Sequence, residues 1–400
     1  MATGKTFTKF ATTKTLTAVG MSAAMIGVLT ACGSSSTSSV SSSEGTSTTA
    51  ASAGADSCDN TINLFTWSSY HDDPWLAEYE TQTGVKINSQ LIGSVPEAFA
   101  KVKADPGAFD LVLATSGWVE NYAESDLIVP VDESKIPNLS NVLSTLDWRA
   151  ATTYVDKNYG VPYAWGSQPL IWADDRVTPA PTDWSALFDP KYKGRVSLVD
   201  DPTTQLPVIA IAAGIKDPYN MTDAEFETFK AKLNELRPQV THVSASIQDQ
   251  TTDFTGGQVD LGILYNISTW VESNKAGTKV SQIIPAEGTP GWTDNYVVTK
   301  AGDEKNKCNN IVNDFINATL SKEWQGRFIG TSGNNGALSV EAAKSPEAVA
   351  AGLTTDAYAR TELAQSELDP QFFEKVRLLR RLPNLQAWLD AWNEFKLGIG

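Results

Sequence analysis

Within residues 62–114 the chain spells strand, helix, strand, helix, strand, and this run constrains the fold more than any other stretch. Ile62-Asn63-Leu64-Phe65-Thr66-Trp67 has the β-branched and aromatic content of a strand. Asp72-Asp73-Pro74 then marks a helix start, with an acidic cap and proline in the first turn. Trp75, Leu76 and Tyr79 supply its apolar stripe. Val85 to Leu91 reads as a second strand and Pro96 to Val102 as a second short helix. Asp110-Leu111-Val112-Leu113-Ala114 is apolar almost throughout, as expected of a strand buried on both faces. Parallel strands need long crossovers, usually helical, so this order predicts an α/β layer around a parallel sheet.

The middle of the chain repeats this grammar. Tyr159 to Trp165 and Pro169 to Trp172 read as strands around a crossover, and Val196 to Val199 as another strand. Thr203 to Ile215 reads as an apolar helix. Thr222-Asp223-Ala224-Glu225 is a capping box ahead of Phe226, Phe229, Leu233 and Leu236, a helix that Pro238 should end. Leu261 to Leu264 is a short apolar strand ending at Tyr265. Helices are expected at about 306–320, 323–329 and 384–396. No repeat of 20–50 residues is visible, which disfavours a solenoid or a propeller.

The first 58 residues speak to the compartment. Residues 1–31 carry Lys5, Lys9 and Lys14 and no acid, then a short apolar run from about Leu16 to Leu29. That is the pattern of a secretory signal, too short for a comfortable membrane span. Leu29-Thr30-Ala31-Cys32 resembles a bacterial lipobox, which makes Cys32 the expected lipidation site and new N-terminus. In 33–57, eleven of the 25 residues are serine. Such a segment cannot offset its ordering entropy by burial and reads as a tether reaching roughly 28 Å. With Cys32 lipidated, Cys58 and Cys308 are left as an even pair, either bridged or two free thiols.

At 400 residues the chain has room for two or three domains. Its net charge is −16, and signal cleavage removes three more positive charges. Nucleic-acid binders need a basic face, so that class is excluded. Catalytic motifs are scarce. There are only two histidines, His71 and His242, so a Ser-His-Asp triad would have to use one of them. No P-loop, zinc motif or dinucleotide fingerprint occurs. His71-Asp72-Asp73 reads as a surface and capping stretch rather than a metal site. Aromatic residues at strand ends are more telling. Trp67 and Tyr70 follow the first strand, Trp118 the third, and Tyr265 the strand at 261–264. Trp292 and Asp294 lie just before an expected strand at Tyr296-Val297-Val298. Open α/β sheets bind ligands beyond the carboxyl ends of their strands. Aromatic faces there attract ammonium groups, and a carboxylate beside them holds the charge.

From about residue 61 to 400 the sequence resembles the spermidine/putrescine receptors of bacterial ABC importers. The stretches that carry the resemblance are Phe65-Thr66-Trp67-Ser68-Ser69-Tyr70, Gln82-Thr83-Gly84-Val85-Lys86 and Phe109-Asp110-Leu111-Val112. They continue with Val161-Pro162-Tyr163-Ala164-Trp165-Gly166, Asp189-Pro190-Lys191-Tyr192-Lys193-Gly194, Asp260-Leu261-Gly262-Ile263-Leu264-Tyr265-Asn266, and Pro285-Ala286-Glu287-Gly288 ahead of Trp292-Thr293-Asp294. The resemblance implies a type II periplasmic-binding-protein fold: two α/β lobes, a ligand cleft between them and a crossover hinge. Residues 1–31 then form the signal peptide and 32–58 the lipidated tether. Residues 59–166 plus about 295–335 form lobe 1, and 167–294 plus about 336–400 lobe 2.

By the same resemblance, Trp67, Ser68 and Tyr70 line the cleft and Asp201 takes a ligand amine. Tyr265 stacks on the alkyl chain, and Trp292 and Asp294 are an aromatic and the main ammonium-binding carboxylate. Trp118 lies one position past a family aromatic that is Gly117 here, and Thr331 stands where many members have tyrosine. Thr204 replaces a second acid of the spermidine receptors, leaving two candidate acids, which suits a diamine. Arg380 and Arg381 fall near a region that contributes a polar contact and are expected on a solvated helix. A bridge between Cys58 and Cys308 follows from both lying on one lobe in the family. The expected function is a monomeric, lipid-anchored receptor with no cofactor, metal or enzymatic activity, passing a polyamine to a permease. The alternatives are another ammonium or amino-acid-like solute, or a secreted hydrolase using carboxylates.

Overall fold

The computed structural model describes residues 58–399; the expected signal segment, Cys32 and the tether up to residue 57 lie outside the described residues. In chain order the strands are β1 Thr61–Thr66, β2 Lys86–Leu91, β3 Leu111–Thr115, β4 Thr153–Tyr154, β5 Lys157–Asn158, β6 Val161–Ser167 and β7 Leu170–Ala173. They continue with β8 Val196–Val199, β9 Val240–Ser244, β10 Leu261–Ile263, β11 Val280–Ile283, β12 Thr289–Val298, β13 Asn335–Gly336 and β14 Val376–Leu378. Two mixed sheets result. The first runs β13-β6-β12-β3-β1-β2, with β14 against the start of β12. The second runs β11-β7-β10-β8-β9.

The opening strand–helix run forms the parallel set β2-β1-β3, as its order requires. All five residues of β3 are buried, which accounts for its unbroken apolar sequence. β8 is parallel to both β9 and β10, β7 runs antiparallel to β10 and β11, and β12 runs antiparallel to β3 and β6 but parallel to β14. Thr222 and Glu225 form the expected reciprocal cap, and the helix Asp223–Leu236 ends two residues before Pro238.

Three segments cross between the sheets. They are residues 168–169 between β6 and β7, residues 284–288 between β11 and β12, and residues 379–384 between β14 and the helix Leu385–Leu397. That last helix packs on Pro202–Ala212 and Asp223–Leu236 of the second lobe. The crossings lie side by side at the start of β12. Gln168 N–H donates to the Pro290 carbonyl (3.1 Å), Thr289 Oγ1 donates to the Gln168 carbonyl (2.5 Å), and Leu379 N–H donates to the Gly291 carbonyl (2.6 Å).

The sheets divide the chain differently from the expected ranges. Trp292 and Asp294 lie inside β12, a ten-residue strand of the first sheet, not before a short one. Its opening Thr-Pro-Gly hides it in the sequence, because proline and glycine are poor strand formers. The helices between residues 340 and 375 build on Lys322–Ser332, which packs on β13 of the first sheet, so only the chain after residue 378 returns to the second lobe. The expected helix at 306–320 is two helices, Lys300–Asn309 and Ile311–Thr319, parted by Asn310 in the left-handed conformation (φ 61°).

Cys58 and Cys308 are bridged, with Cα atoms 5.9 Å apart. Lys305, on the same helix as Cys308, donates to Asp110 Oδ2 (2.8 Å) and to the Thr61 carbonyl (2.5 Å), so the chain's entry into β1 is pinned twice. The bridge spans 250 residues. In the chain-entropy picture a loop of that size adds about 5 kcal/mol by restricting the unfolded state. Cys308→Ser is expected to lower the stability measured by chemical denaturation by up to about that amount. Reductant should have the same effect on the wild type and none on the variant.

Candidate functional site

β1, β3, β8 and β10 end at the same cleft, and the turns that follow them carry the polar groups. Asp294 lies on β12 opposite Thr115, the last residue of β3. Its Oδ1 accepts from Thr115 Oγ1 at 2.6 Å and its Oδ2 from the Tyr70 hydroxyl at 2.7 Å. Tyr70 comes from the turn after β1, where Ser69 adopts a left-handed conformation (φ 66°). The Tyr70 carbonyl accepts from the Tyr163 hydroxyl at 2.7 Å. The second lobe supplies Asp201 at the N-terminus of the helix Pro202–Ala212, directly after β8. One oxygen of Asp201 caps that helix through Thr203 N–H (3.1 Å) and accepts from Thr203 Oγ1 (2.8 Å). The other accepts from the Tyr265 hydroxyl at 3.1 Å, just past β10.

Both carboxylates are buried, Asp294 5% exposed and Asp201 1%. Neither has a lysine or arginine partner among the described residues. Burial pushes the Asp294 carboxyl up to about 6, against the lowering effect of the Thr115, Tyr70 and Trp67 side chains, and the Asp201 charge raises it further. The Trp67 Nε1 makes no hydrogen bond of ordinary geometry. Burial likewise raises Asp201, opposed by Thr203 and Tyr265. Hydroxyl donors thus replace water only in part, and each carboxylate has lone-pair capacity for a further donor.

Trp118 bridges the cleft: its Nε1–H donates to Thr203 Oγ1 at 3.4 Å, joining the turn after β3 to the second lobe. Trp292 is buried two residues from Asp294 on β12, with its indole against Gly166. Trp67 is half-buried and Ser68 exposed. Thr331 is exposed on the helix Lys322–Ser332 and has no hydrogen bond to this group. Thr204 is buried and donates to the Asp201 carbonyl (3.2 Å). Gly117 has φ 85°, and a Cβ there would come 2.9 Å from the Arg380 carbonyl oxygen. The third crossing therefore occupies the space a side chain at 117 would need.

Two expectations fail. Arg380 and Arg381 are not on a helix but in the third crossing, where Arg380 pairs with Asp217 (2.7 Å) and Arg381 with Glu120 and Glu124. They grip opposite lobes because consecutive residues of an extended segment face opposite ways. His71 is not a surface residue: it is 7% exposed in the first lobe. Sequence reading also missed Thr115 and Thr203, which donate to the two carboxylates. Thr203 was accessible from the Asp-Pro-Thr helix start, whereas Thr115 is fixed only by the antiparallel register of β12 on β3. His242 and Ser244 both bond Asp253, each at 2.8 Å, so the serine faces the carboxylate rather than the imidazole and the trio is not a nucleophilic relay.

The fold and the cleft define a two-lobed solute receptor. A family model for bacterial extracellular solute-binding proteins matches residues 75–355, and the chain belongs to that family. It is 28% identical over 270 residues to the spermidine/putrescine-binding periplasmic protein of Escherichia coli, covering 66% of this chain and 75% of that protein. It is 25% identical over 358 residues to a putrescine/cadaverine-binding protein of Pseudomonas aeruginosa, covering 84% and 93%. A solved structure of a putative spermidine/putrescine ABC transporter protein from Listeria monocytogenes superposes with a TM-score of 0.67 at 21% identity, covering 84% and 99%. Among the described residues no helix is long and apolar enough to cross a membrane.

The raised Asp294 carboxyl sets a pH signature. Its ordinary value is 3.8 and its folded value about 6. Between these the unfolded chain has released a proton that the folded chain still holds, so stability falls as pH rises. The loss is complete above about pH 6 and is on the order of 2–3 kcal/mol. Ligand-free Asp294→Asn should therefore be more stable than the wild type at pH 7, with the gap closing toward pH 4. Denaturation curves across that range check this, and a gap independent of pH would contradict it.

Proposed function

We propose that this protein is the extracytoplasmic receptor of an ABC importer for a polyamine, best suited to a diamine such as putrescine. The observation that carries the reading is the pair of buried carboxylates, Asp294 and Asp201, from opposite lobes and without a cation. A buried charge is tolerated when it is paired, and a ligand with an ammonium at each end supplies both partners. Trp67, Trp292 and Tyr265 would flank the alkyl chain between them. Because such a ligand touches both lobes, it favours the closed form by differential affinity. The names of the Escherichia coli and Pseudomonas aeruginosa relatives support the same ligand class.

An amino-acid-like solute fits less well, since its carboxylate needs a cation and both Arg380 and Arg381 are engaged in ion pairs. The receptor reading involves no turnover. Membrane attachment through Cys32 and delivery to a permease complete the proposal. The lipobox-like Leu29-Thr30-Ala31-Cys32 supports the first, and mass spectrometry of the native N-terminus tests it.

Calorimetry with putrescine, spermidine and amino acids tests the ligand. Putrescine should bind at least as well as spermidine, because Thr204 supplies no third charge. Asp294→Asn should weaken binding by about 2–5 kcal/mol, the usual cost of breaking a desolvated charge pair. Trp292→Leu should cost less, since the ion pair survives. Affinity should also fall as pH drops below about 6, where Asp294 takes up a proton. Unchanged affinity in Asp294→Asn would refute the site, and failure of every amine to bind would refute the ligand class.

A further inference from the structure

His71 lies one residue past Tyr70 and touches no solvent-facing group of the cleft. Its Nδ1 is 2.8 Å from Thr66 Oγ1 and its Nε2 is 2.5 Å from the Tyr296 hydroxyl. The ring stacks on Tyr163, with centroids 4.9 Å apart and planes 20° from parallel. Phe315 and Trp324 pack around it. Thr66 Oγ1 donates to the Trp67 carbonyl at 3.5 Å, which leaves it free to accept from the imidazole. Whichever ring nitrogen carries the proton, the neutral imidazole has one donor and one acceptor, and it meets a hydroxyl on each side, Thr66 at Nδ1 and Tyr296 at Nε2. This neutral ring ties the last residue of β1 to Tyr296 near the end of β12, and so closes the base of the turn 67–70. Its stacking partner Tyr163 is the same residue that donates to the Tyr70 carbonyl.

We propose that His71 is a positioning residue for ligand binding: it holds the 67–70 turn so that the Tyr70 hydroxyl stays on Asp294. The turn needs such a post, because Ser69 sits in a left-handed conformation that an unrestrained serine leaves readily. Desolvation holds the imidazole far down, at about 3, so the ring stays neutral wherever the receptor works. The ionisable groups around it are the phenols Tyr163 and Tyr296, with Asp72 next in sequence. Those facing Asp294 are Tyr70 from the same turn and, from the second lobe, Asp201 and Tyr265.

The proposal rests on the reading that Asp294 binds the ligand's ammonium, but its first test needs no ligand. The stability gap with and without Asp294→Asn is measured against pH, once in the wild-type background and once in His71→Leu. A donor on the ionised carboxylate lowers its pKa, so losing Tyr70 should move the inflection above its wild-type value of about 6. His71→Asn, whose amide offers both a donor and an acceptor for the Nδ1 contact with Thr66, should restore it. With putrescine, His71→Leu should bind about tenfold to a hundredfold more weakly, as expected for loss of one hydrogen bond to a charge, and His71→Asn should recover most of that. Tyr296→Phe, which keeps the ring but removes one tether, should shift the inflection partway, and serves alone if His71→Leu does not fold. A destabilised His71→Leu, or Tyr296→Phe in its place, whose inflection stays at the wild-type pH would overturn the proposal and leave His71 as core packing only. Failure of amines to bind the wild type would instead sink the ligand reading, with the pH test still deciding this one.

Discussion

Burying two carboxylates with no lysine or arginine beside them among the described residues is the constraint around which the rest of the molecule is arranged. Taking a charge from water into a protein interior costs several kcal/mol unless something replaces the lost hydration. Here hydroxyl and helix-end donors do so only partly, which leaves both groups raised above the ordinary carboxylate range. The deficit is useful. A carboxylate already satisfied by a lysine would have nothing left to offer an ammonium. Because one acid belongs to each lobe, the proposed ligand would remove the deficit only when the two lobes meet around it. On that proposal affinity and closure would be a single equilibrium.

The aromatic shell serves the same end. Tyr70, Tyr163, His71, Tyr296, Phe315 and Trp324 form one stack behind the first-lobe half of the cleft. It excludes water from the back of Asp294 and fixes the rotamers of the groups that donate to it. Its polar members are all hydrogen-bonded: Trp324 donates to Tyr163, Tyr163 to the Tyr70 carbonyl, Tyr70 to Asp294, and His71 bonds Tyr296 and Thr66. The buried Trp67 and Trp292 indole nitrogens, in contrast, make no hydrogen bond.

Much of this was legible in the sequence, for identifiable reasons. The β1–β3 unit announces itself because short-range periodicity and helix starts are local signals. Tyr265 could be placed because it directly follows an apolar strand, whereas Asp201 was placed only by the family resemblance. β12 was read too short because its register is set by β3 and β6, both distant in sequence, while its own first residues look like a turn. His71 was misjudged for a related reason: a histidine beside two aspartates looks solvated, and only the tertiary stack shows that it points the other way. The arginines of the third crossing were assigned to a helix because nothing local marks a strap whose bonds all go to other segments.

β12 has one further consequence. Its first residues take part in all three crossings, and Asp294 lies three residues beyond Gly291, on the order of 10 Å along a strand. A body rotating about a pivot displaces its parts in proportion to their distance from it. Were the lobes to close by rotating about these crossings, as the proposed mechanism requires, Asp294, near the pivot and on a strand paired on both sides, would be displaced less than residues farther out. It is an anvil: what changes as the cleft shuts is what comes down upon it.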